Sequence, residues 1–261
     1  MKIKVTRKML LLSNNLNKYE NIISKNRVKS IYKVYEQLAK DIESTFNKSI
    51  TSEFKDKVNE IVETKFKNNL QNVLININKI NIDEFVDYFI KFFNRTINLD
   101  EIRSIKSKTL DKVLKKYVGK TVENITNTTK DILNKKITEY TQKGLTFNDM
   151  VKRIVNDTKG EIGLNRAKII SRTETAKAVG ETNYITAKKA KLTKKTWIHS
   201  GGGKYDRKSH LELHGITIGI NEYFDVGAEG KTPSVKMRFP KDPLCNSVGH
   251  IIHCYCQVFY S

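Results

Sequence analysis

The sequence predicts a mainly α protein, with a long helical N-terminal region followed by a small α+β module at the C-terminal end. Three observations carry this. The first 195 residues of the 261-residue chain contain no proline, and no glycine occurs before Gly119, so the residues that break or weaken helix interiors are missing there. Apolar side chains in the same stretch recur at steps of three and four. After Lys195 the pattern changes to short apolar strips punctuated by glycine and proline, and all five histidines and all three cysteines lie in this part, between His199 and Cys256. The expected organisation is a basic α-helical region over 1–140 and a second module over 141–261, helical to about 195 and β-rich or irregular over 196–261.

Val28, Ile31, Tyr35, Leu38, Ile42 and Phe46 fall on one stripe of an amphipathic helix. Phe54, Val58, Ile61, Val62, Phe66, Leu70, Val73, Ile77 and Ile80 continue the pattern with a drifting stripe, as in a bundle helix that touches more than one neighbour. Asp83 is the expected cap of a third segment whose Phe85, Tyr88, Phe89, Phe92 and Phe93 form an aromatic face, better suited to a core than to stacking on bases. Two more helices are expected over 100–118 and 122–140, with a break at Gly119-Lys120 and a stop at Gly144. Thr146 and Asp149 have capping-box spacing and open the next helix. The polar stretch 156–163 reads as a hinge, and Asn165 as the cap of a helix from Arg166 to about 190. Thr196-Trp197-Ile198 and residues 216–220 read as strands, and Gly201-Gly202-Gly203 as a flexible loop without the flanking residues of a phosphate-binding loop.

Charge divides along the same line. Residues 196–261 carry 7 Lys+Arg against 6 Asp+Glu, so nearly all of the net charge of +20 belongs to the helical part. A basic surface of this size attracts polyanions and suits salt-sensitive, sequence-independent contact with DNA, although an Asn-, Ile- and Lys-rich composition also follows from AT-rich codon supply. No run approaches the roughly 18 apolar residues that span a bilayer, and residues 9–12 are too short for a signal-peptide core. Three cysteines do not make the even framework of a secreted mini-protein, which points to assembly in a reducing cytoplasm.

The chemistry-bearing side chains suggest a metal before they suggest catalysis. In Cys254-Tyr255-Cys256 the two sulfurs share one side of an extended segment, and with His210 and one of His214, His250 or His253 they supply the imidazole and thiolate ligands that zinc prefers. The competing reading packs the cysteines as small apolar groups. A thiol nucleophile served by Glu174 or Glu212, or a nuclease cation held by Asp206, Glu222 and Asp225, lacks any motif that gathers a base, an orienting group and a substrate site. Arg172 and Glu174, in mid-helix, are expected to form a buried network that clamps the helix to the β-rich module.

Taken in order, Arg172-Thr173-Glu174-Thr175, Trp197-Ile198, Arg207-x-x-His210, Gly215, Phe224, Pro240-x-Asp242-Pro243 and Cys254-x-Cys256 resemble the phage Mu F-like minor head protein family, over about 140–260. The resemblance implies a non-enzymatic minor capsid protein of a tailed bacteriophage that acts in head morphogenesis. Its implied partners are the portal protein, the scaffold and the major capsid protein, with double-stranded DNA as a nonspecific contact. It places the chain in the host cytoplasm during assembly and then in the virion, inside the head or at the portal. It marks Arg172, Glu174, Thr175, Arg207, His210, Gly215, Cys254 and Cys256 as signature residues, with Trp197 and Phe224 in the same ordered set, and no catalytic residue; His210, His253, Cys254 and Cys256 are candidate ligands of zinc on their own chemistry. A metal-dependent nuclease of the head and a plain DNA-binding protein are the alternatives. The family's Asn-Cys-Arg-Cys is replaced here by His253-Cys254-Tyr255-Cys256, which removes the arginine and adds an imidazole.

Overall fold

The computed structural model describes residues 2–46, 53–92, 98–113, 117–200, 206–245 and 247–261. A mainly helical N-terminal region is followed by a small C-terminal module with two antiparallel sheets. The helices are α1 (Arg7–Phe46), α2 (Phe54–Ile61), α3 (Lys67–Phe92), α4 (Leu99–Val113), α5 (Gly119–Gln142), α6 (Phe147–Asp157) and α7 (Gly163–Lys189). The module adds β1 (Lys194–Ile198), α8 (Lys208–Glu212), β2 (Thr217–Gly219), β3 (Phe224–Val226), β4 (Val235–Met237), α9 (Val248–Ile251) and β5 (Gln257–Tyr260). The chain forms two compact units by contact. One comprises Met1–Ser24, Ile77–Tyr117 and Arg172–Ser261, the other Lys25–Asn76 and Val118–Ser171.

The second unit is a helical core built from the expected stripes. Ile31, Tyr35, Leu38, Ile42 and Phe46 of α1 are buried, as are Phe54 and Val58 of α2 and Val122, Leu133 and Ile137 of α5. Phe46, Phe54 and Phe147 meet edge to face, at 4.2 to 6.1 Å between ring centres. A π-type turn over Val62–Phe66 joins α2 to α3 without a break and accounts for the drift of the stripe, since one widened turn rotates every side chain beyond it. Thr146 accepts from the Asp149 backbone N–H and so caps the helix as expected, while its hydroxyl, not its backbone N–H, donates to the Asp149 carboxylate in place of the second bond of a capping box. Gly144 takes the left-handed conformation, φ +67°, that ends α5. The expected hinge over 156–163 is a π-type turn kinked at Gly160 (φ −86°, ψ −113°), with Gly163 close against Tyr35.

Three local expectations are corrected. Asp83 caps nothing, because α3 runs through it; the buried face there is Ile82, Phe85, Val86 and Phe89, while Ile80 is exposed. Gly119 is no break, because residues 117–118 are already helical and α5 starts on it; a glycine without a turn partner costs a helix only about 1 kcal/mol. The helix expected over 100–118 is described over Leu99–Val113, and residues 117–118 are helical too. Asn165 lies inside α7, which begins at Gly163. The side chains of Phe92 and Phe93, and the Gly201–Gly203 loop, fall outside the described residues.

In the first unit α7 is the central element. It is buried on most sides from Arg172 to Ala187, and Gly180 lets the Phe239 ring approach where a Cβ would stand 2.7 Å from it. Strand β1 pairs antiparallel with β2 (Thr196 opposite Thr217) and with β5 (Trp197 opposite Val258), giving the order β2-β1-β5, and β3 pairs with β4 (Phe224 opposite Met237). The start of the chain joins this module: Ile3 N–H donates to the Gly215 carbonyl at 2.8 Å. Met9, Leu16 and Ile23 are buried.

Lys195 of β1 is fully buried and donates to the Glu222 carbonyl at 2.6 Å. Burial, and next the Arg238 charge, push its ammonium down to about 8, against Asp242 and Glu222, which favour the charge; Lys188 adds to the repulsion. The unfolded chain therefore binds this proton more readily, and the stability tied to Lys195 rises with pH from about 8 towards 10.5. Denaturant titrations at about pH 7.5 and about pH 9.5 should show the wild type gaining about 1 kcal/mol relative to Lys195→Met, the full shift being discounted for solvent screening. Parallel pH slopes for the two proteins would refute this.

Candidate metal centre

Two segments distant in sequence bring His210, Cys254 and Cys256 together. The short helix α8 presents His210, and the extended residues before β5 present the two cysteines on one side with Tyr255 on the other, as the alternation predicts. The ligand atoms of the three lie within 4.8 Å of one another, and the residues are 1%, 4% and 2% exposed. His210 Nδ1 stands 3.5 Å from Cys254 Sγ and 3.6 Å from Cys256 Sγ. Trp197, Phe224, Val226, Met237 and Ile251 enclose the cluster, with the Trp197 ring edge-to-face to His210 (5.4 Å) and to Phe224 (5.2 Å).

A backbone carbonyl sets the protons of this site. The Pro233 oxygen, which can only accept, lies 3.0 Å from His250 Nε2, so that nitrogen carries hydrogen. His250 Nδ1 then accepts from His210 Nε2 at 3.2 Å. His210 is thus protonated on its outer nitrogen, and its inner Nδ1 either offers a lone pair to the cluster or shares a proton with the sulfurs. Burial holds His250 below the usual imidazole range, as the relay requires of a neutral ring.

The two thiols are unequal. A hydrogen bond from Cys256 is the largest influence holding Cys254 well below the ordinary thiol range, with His210 helping against burial; the same bond, then burial, push Cys256 up. The Trp197 indole N–H lacks a partner at normal hydrogen-bond geometry, so its closeness to Cys256 favours the thiolate only weakly. All three cysteines are free thiols, and Cys245 packs in the same apolar cluster.

The other expected ligands sit elsewhere. His250 stands behind His210 and acts through it. His214 Nδ1 accepts from the His199 backbone N–H at 3.1 Å. His253, in a left-handed conformation at φ 57°, lies outside the cluster; burial, Arg172 and Arg207 hold its imidazole down. Asp206, Glu222 and Asp225 form no cation cluster among the described residues: Glu222 accepts from Gly219 N–H and Asp225 pairs with Lys236. Glu212 is exposed, and Glu174 accepts from Lys177 at 2.8 Å.

The clamp of α7 on the module exists with different partners. Arg172 stacks 3.7 Å from the Tyr255 ring centre and donates to its hydroxyl at 2.7 Å, so the tyrosine between the two cysteines is the residue Arg172 holds. Thr175 is buried and accepts from Asn81 at 3.4 Å. Arg207 donates to the Ile252 carbonyl at 2.7 Å and so ties the start of α8 to the chain just before the cysteines. Gly215 has φ +80°, and a Cβ there would stand 2.5 Å from the Ile3 carbonyl oxygen, so only glycine lets the N-terminal residues pair with the module.

Sequence reasoning missed two buried ion networks and one histidine. Arg238 binds Asp242 and Glu181, and Glu181 also accepts from Lys112 (2.5 Å) and Tyr117 (3.2 Å). Lys241 donates to both Glu20 oxygens at 3.1 Å, and Gln257 donates to Glu20 at 2.8 Å. Asp242 was marked only through the resemblance. His199 Nδ1 lies 3.4 Å from Cys256 Sγ. Its place immediately after an apolar strand was the one available signal.

No helix among the described residues is long and apolar enough to cross a membrane. No family model matches the chain, and no solved structure matches it significantly. Among curated proteins it is similar to uncharacterized protein YqbB of Bacillus subtilis (strain 168), 28% identical over 167 residues, 62% of this chain. The chain spans about half the length of that relative, 47%.

Proposed function

We propose that this chain is a minor head protein of a tailed bacteriophage, acting in head morphogenesis at the portal or in the procapsid interior. The portal protein, scaffold and major capsid protein are its partners in this reading. One observation carries it. The short motifs of the Mu F-like resemblance, scattered from Arg172 to Cys256, interlock in one compact unit: Arg172 on Tyr255, Trp197 on His210 and Phe224, and Cys254 and Cys256 on His210. Motifs that are neighbours only in space support a shared fold better than any of them does alone.

The role is structural, not catalytic, in this reading. The groups with chemical potential are buried and bonded to one another, which suits a module that holds its shape and leaves a substrate no approach. The net charge of +20 supports nonspecific contact with packaged double-stranded DNA through phosphate neutralisation.

Phage particles assembled with and without the gene test the proposal. The chain is expected to co-sediment with procapsids isolated before DNA packaging, and its loss to give malformed or non-infectious heads. Procapsids free of the chain, together with normal shells, DNA content and infectivity in the deletion, would refute it.

A further inference from the structure

We propose that the module binds one zinc ion through His210 Nδ1, Cys254 Sγ and Cys256 Sγ, and that His199 supplies the fourth ligand. With Zn–S about 2.3 Å and Zn–N about 2.0–2.1 Å, the N···S edge of a tetrahedral site is about 3.6 Å. The two edges meeting at His210 Nδ1 are 3.5 and 3.6 Å. These are also hydrogen-bond lengths to sulfur, so distance alone does not separate a metal site from a thiol–imidazole cluster; the surroundings of the two imidazoles do.

A metal-binding histidine is normally held by an oxygen acceptor on its outer nitrogen, directly or through a relay, because this fixes the tautomer and raises the basicity of the inner one. His210 has such a relay in His250 and the Pro233 carbonyl. His199 has a carboxylate beside its outer nitrogen, placed for the direct form but beyond hydrogen-bond length. Its Nδ1 faces Cys256 Sγ at 3.4 Å while its Nε2 faces the Asp206 carboxylate at 3.7 Å, and its side chain is only 10% exposed. Its ring is not among the atoms that lie within 4.8 Å of one another, so closing the tetrahedron requires the imidazole to move closer to the other ligands.

Four protein ligands make a closed site, the structural kind. The ion would tie the end of β1, helix α8 and the segment before β5 together, and its binding free energy would become folding free energy of the module. The inference does not depend on the proposed role in the phage head.

Untagged full-length protein, purified without chelator, is expected to carry one zinc per chain. After chelation, cobalt(II) should restore a tetrahedral spectrum with thiolate-to-cobalt charge transfer, and zinc should displace it. His199→Ala should keep the charge-transfer band, alter the d–d bands and weaken binding by about 10–100-fold, and Asp206→Asn should weaken it by about tenfold. His253→Ala should change nothing. Cys254→Ser and Cys256→Ser should abolish binding, and because a change at either buried thiol can also unfold the module, the His199 and His253 variants provide the deciding comparison. Absence of stoichiometric zinc, or of charge transfer with cobalt, overturns the site. An unchanged affinity and d–d spectrum in His199→Ala overturns the fourth ligand.

Discussion

Glu181→Ala should destabilise the protein by about 3–5 kcal/mol, the range for removing one partner of a buried ion pair. Glu181 is fully buried on α7, and its carboxylate accepts from Arg238 at 2.8 Å and 3.2 Å, from Lys112 at 2.5 Å and from the Tyr117 hydroxyl at 3.2 Å. Burial works against the Arg238 charge, and Asp242 and Glu181 together more than offset it, keeping the guanidinium protonated. Without Glu181, Arg238 keeps only Asp242, and two cations, Arg238 and Lys112, face one carboxylate in a site with little water. Glu181→Gln retains the shape and one acceptor oxygen, with an amide NH2 in place of the other, so it should cost less than the alanine change. Lys112→Ala should cost about 1 kcal/mol or less, because its side chain is 27% exposed and water can replace part of what is lost. Guanidinium unfolding of the three variants measures the order. A loss below about 1 kcal/mol for Glu181→Ala would show that the network adds specificity without stability, as buried pairs sometimes do.

Sequence patterns revealed local structure here and failed where partners are distant. The stripe from Ile31 to Phe46, the stop at Gly144 and the Thr146 cap were legible because each depends on residues within a turn or two. Asp83 and Asn165 failed for a complementary reason. Both residue types can cap a helix, yet neither can stop one whose neighbours on both sides are buried by tertiary packing, and α3 and α7 run through them. At the candidate centre the alternation of Cys254-Tyr255-Cys256 placed both sulfurs on one side, and His210 joined them as expected. The choice among five histidines was not legible, because it depends on where Pro233 and Asp206 fall after folding: one carbonyl turns His250 into a relay, and one carboxylate faces His199. Lys241 and Glu20 are 221 positions apart, and no periodicity encodes such a pair.

Trp197→Ala should cost about 3–5 kcal/mol and, unlike Glu181→Ala, should also disturb the His210 site. The side chain is fully buried, and its ring stands edge-on to both Phe224 and His210. Its backbone is fixed independently: N–H donates to Ile216 and C=O accepts from Gly215, both at 2.9–3.0 Å. Truncation therefore leaves strand β1 in register and a cavity beside the imidazole, and the loss reports packing alone. With that ring gone, His210 is free to turn about its side-chain bonds, and the pairing of Nδ1 with the two sulfurs loosens. Trp197→Phe separates the two effects. It keeps an aromatic edge against His210 and removes an indole N–H that has no normal partner, so its cost should be about 1–2 kcal/mol, with cobalt and zinc binding retained. Circular dichroism during denaturant unfolding suits both variants, since Trp197 is the chain's single tryptophan and its fluorescence is lost with it. If Trp197→Ala costs less than about 1 kcal/mol, or leaves metal affinity equal to that of Trp197→Phe, then the ring does not position His210, and the cluster's geometry rests on the His250 and Pro233 relay alone.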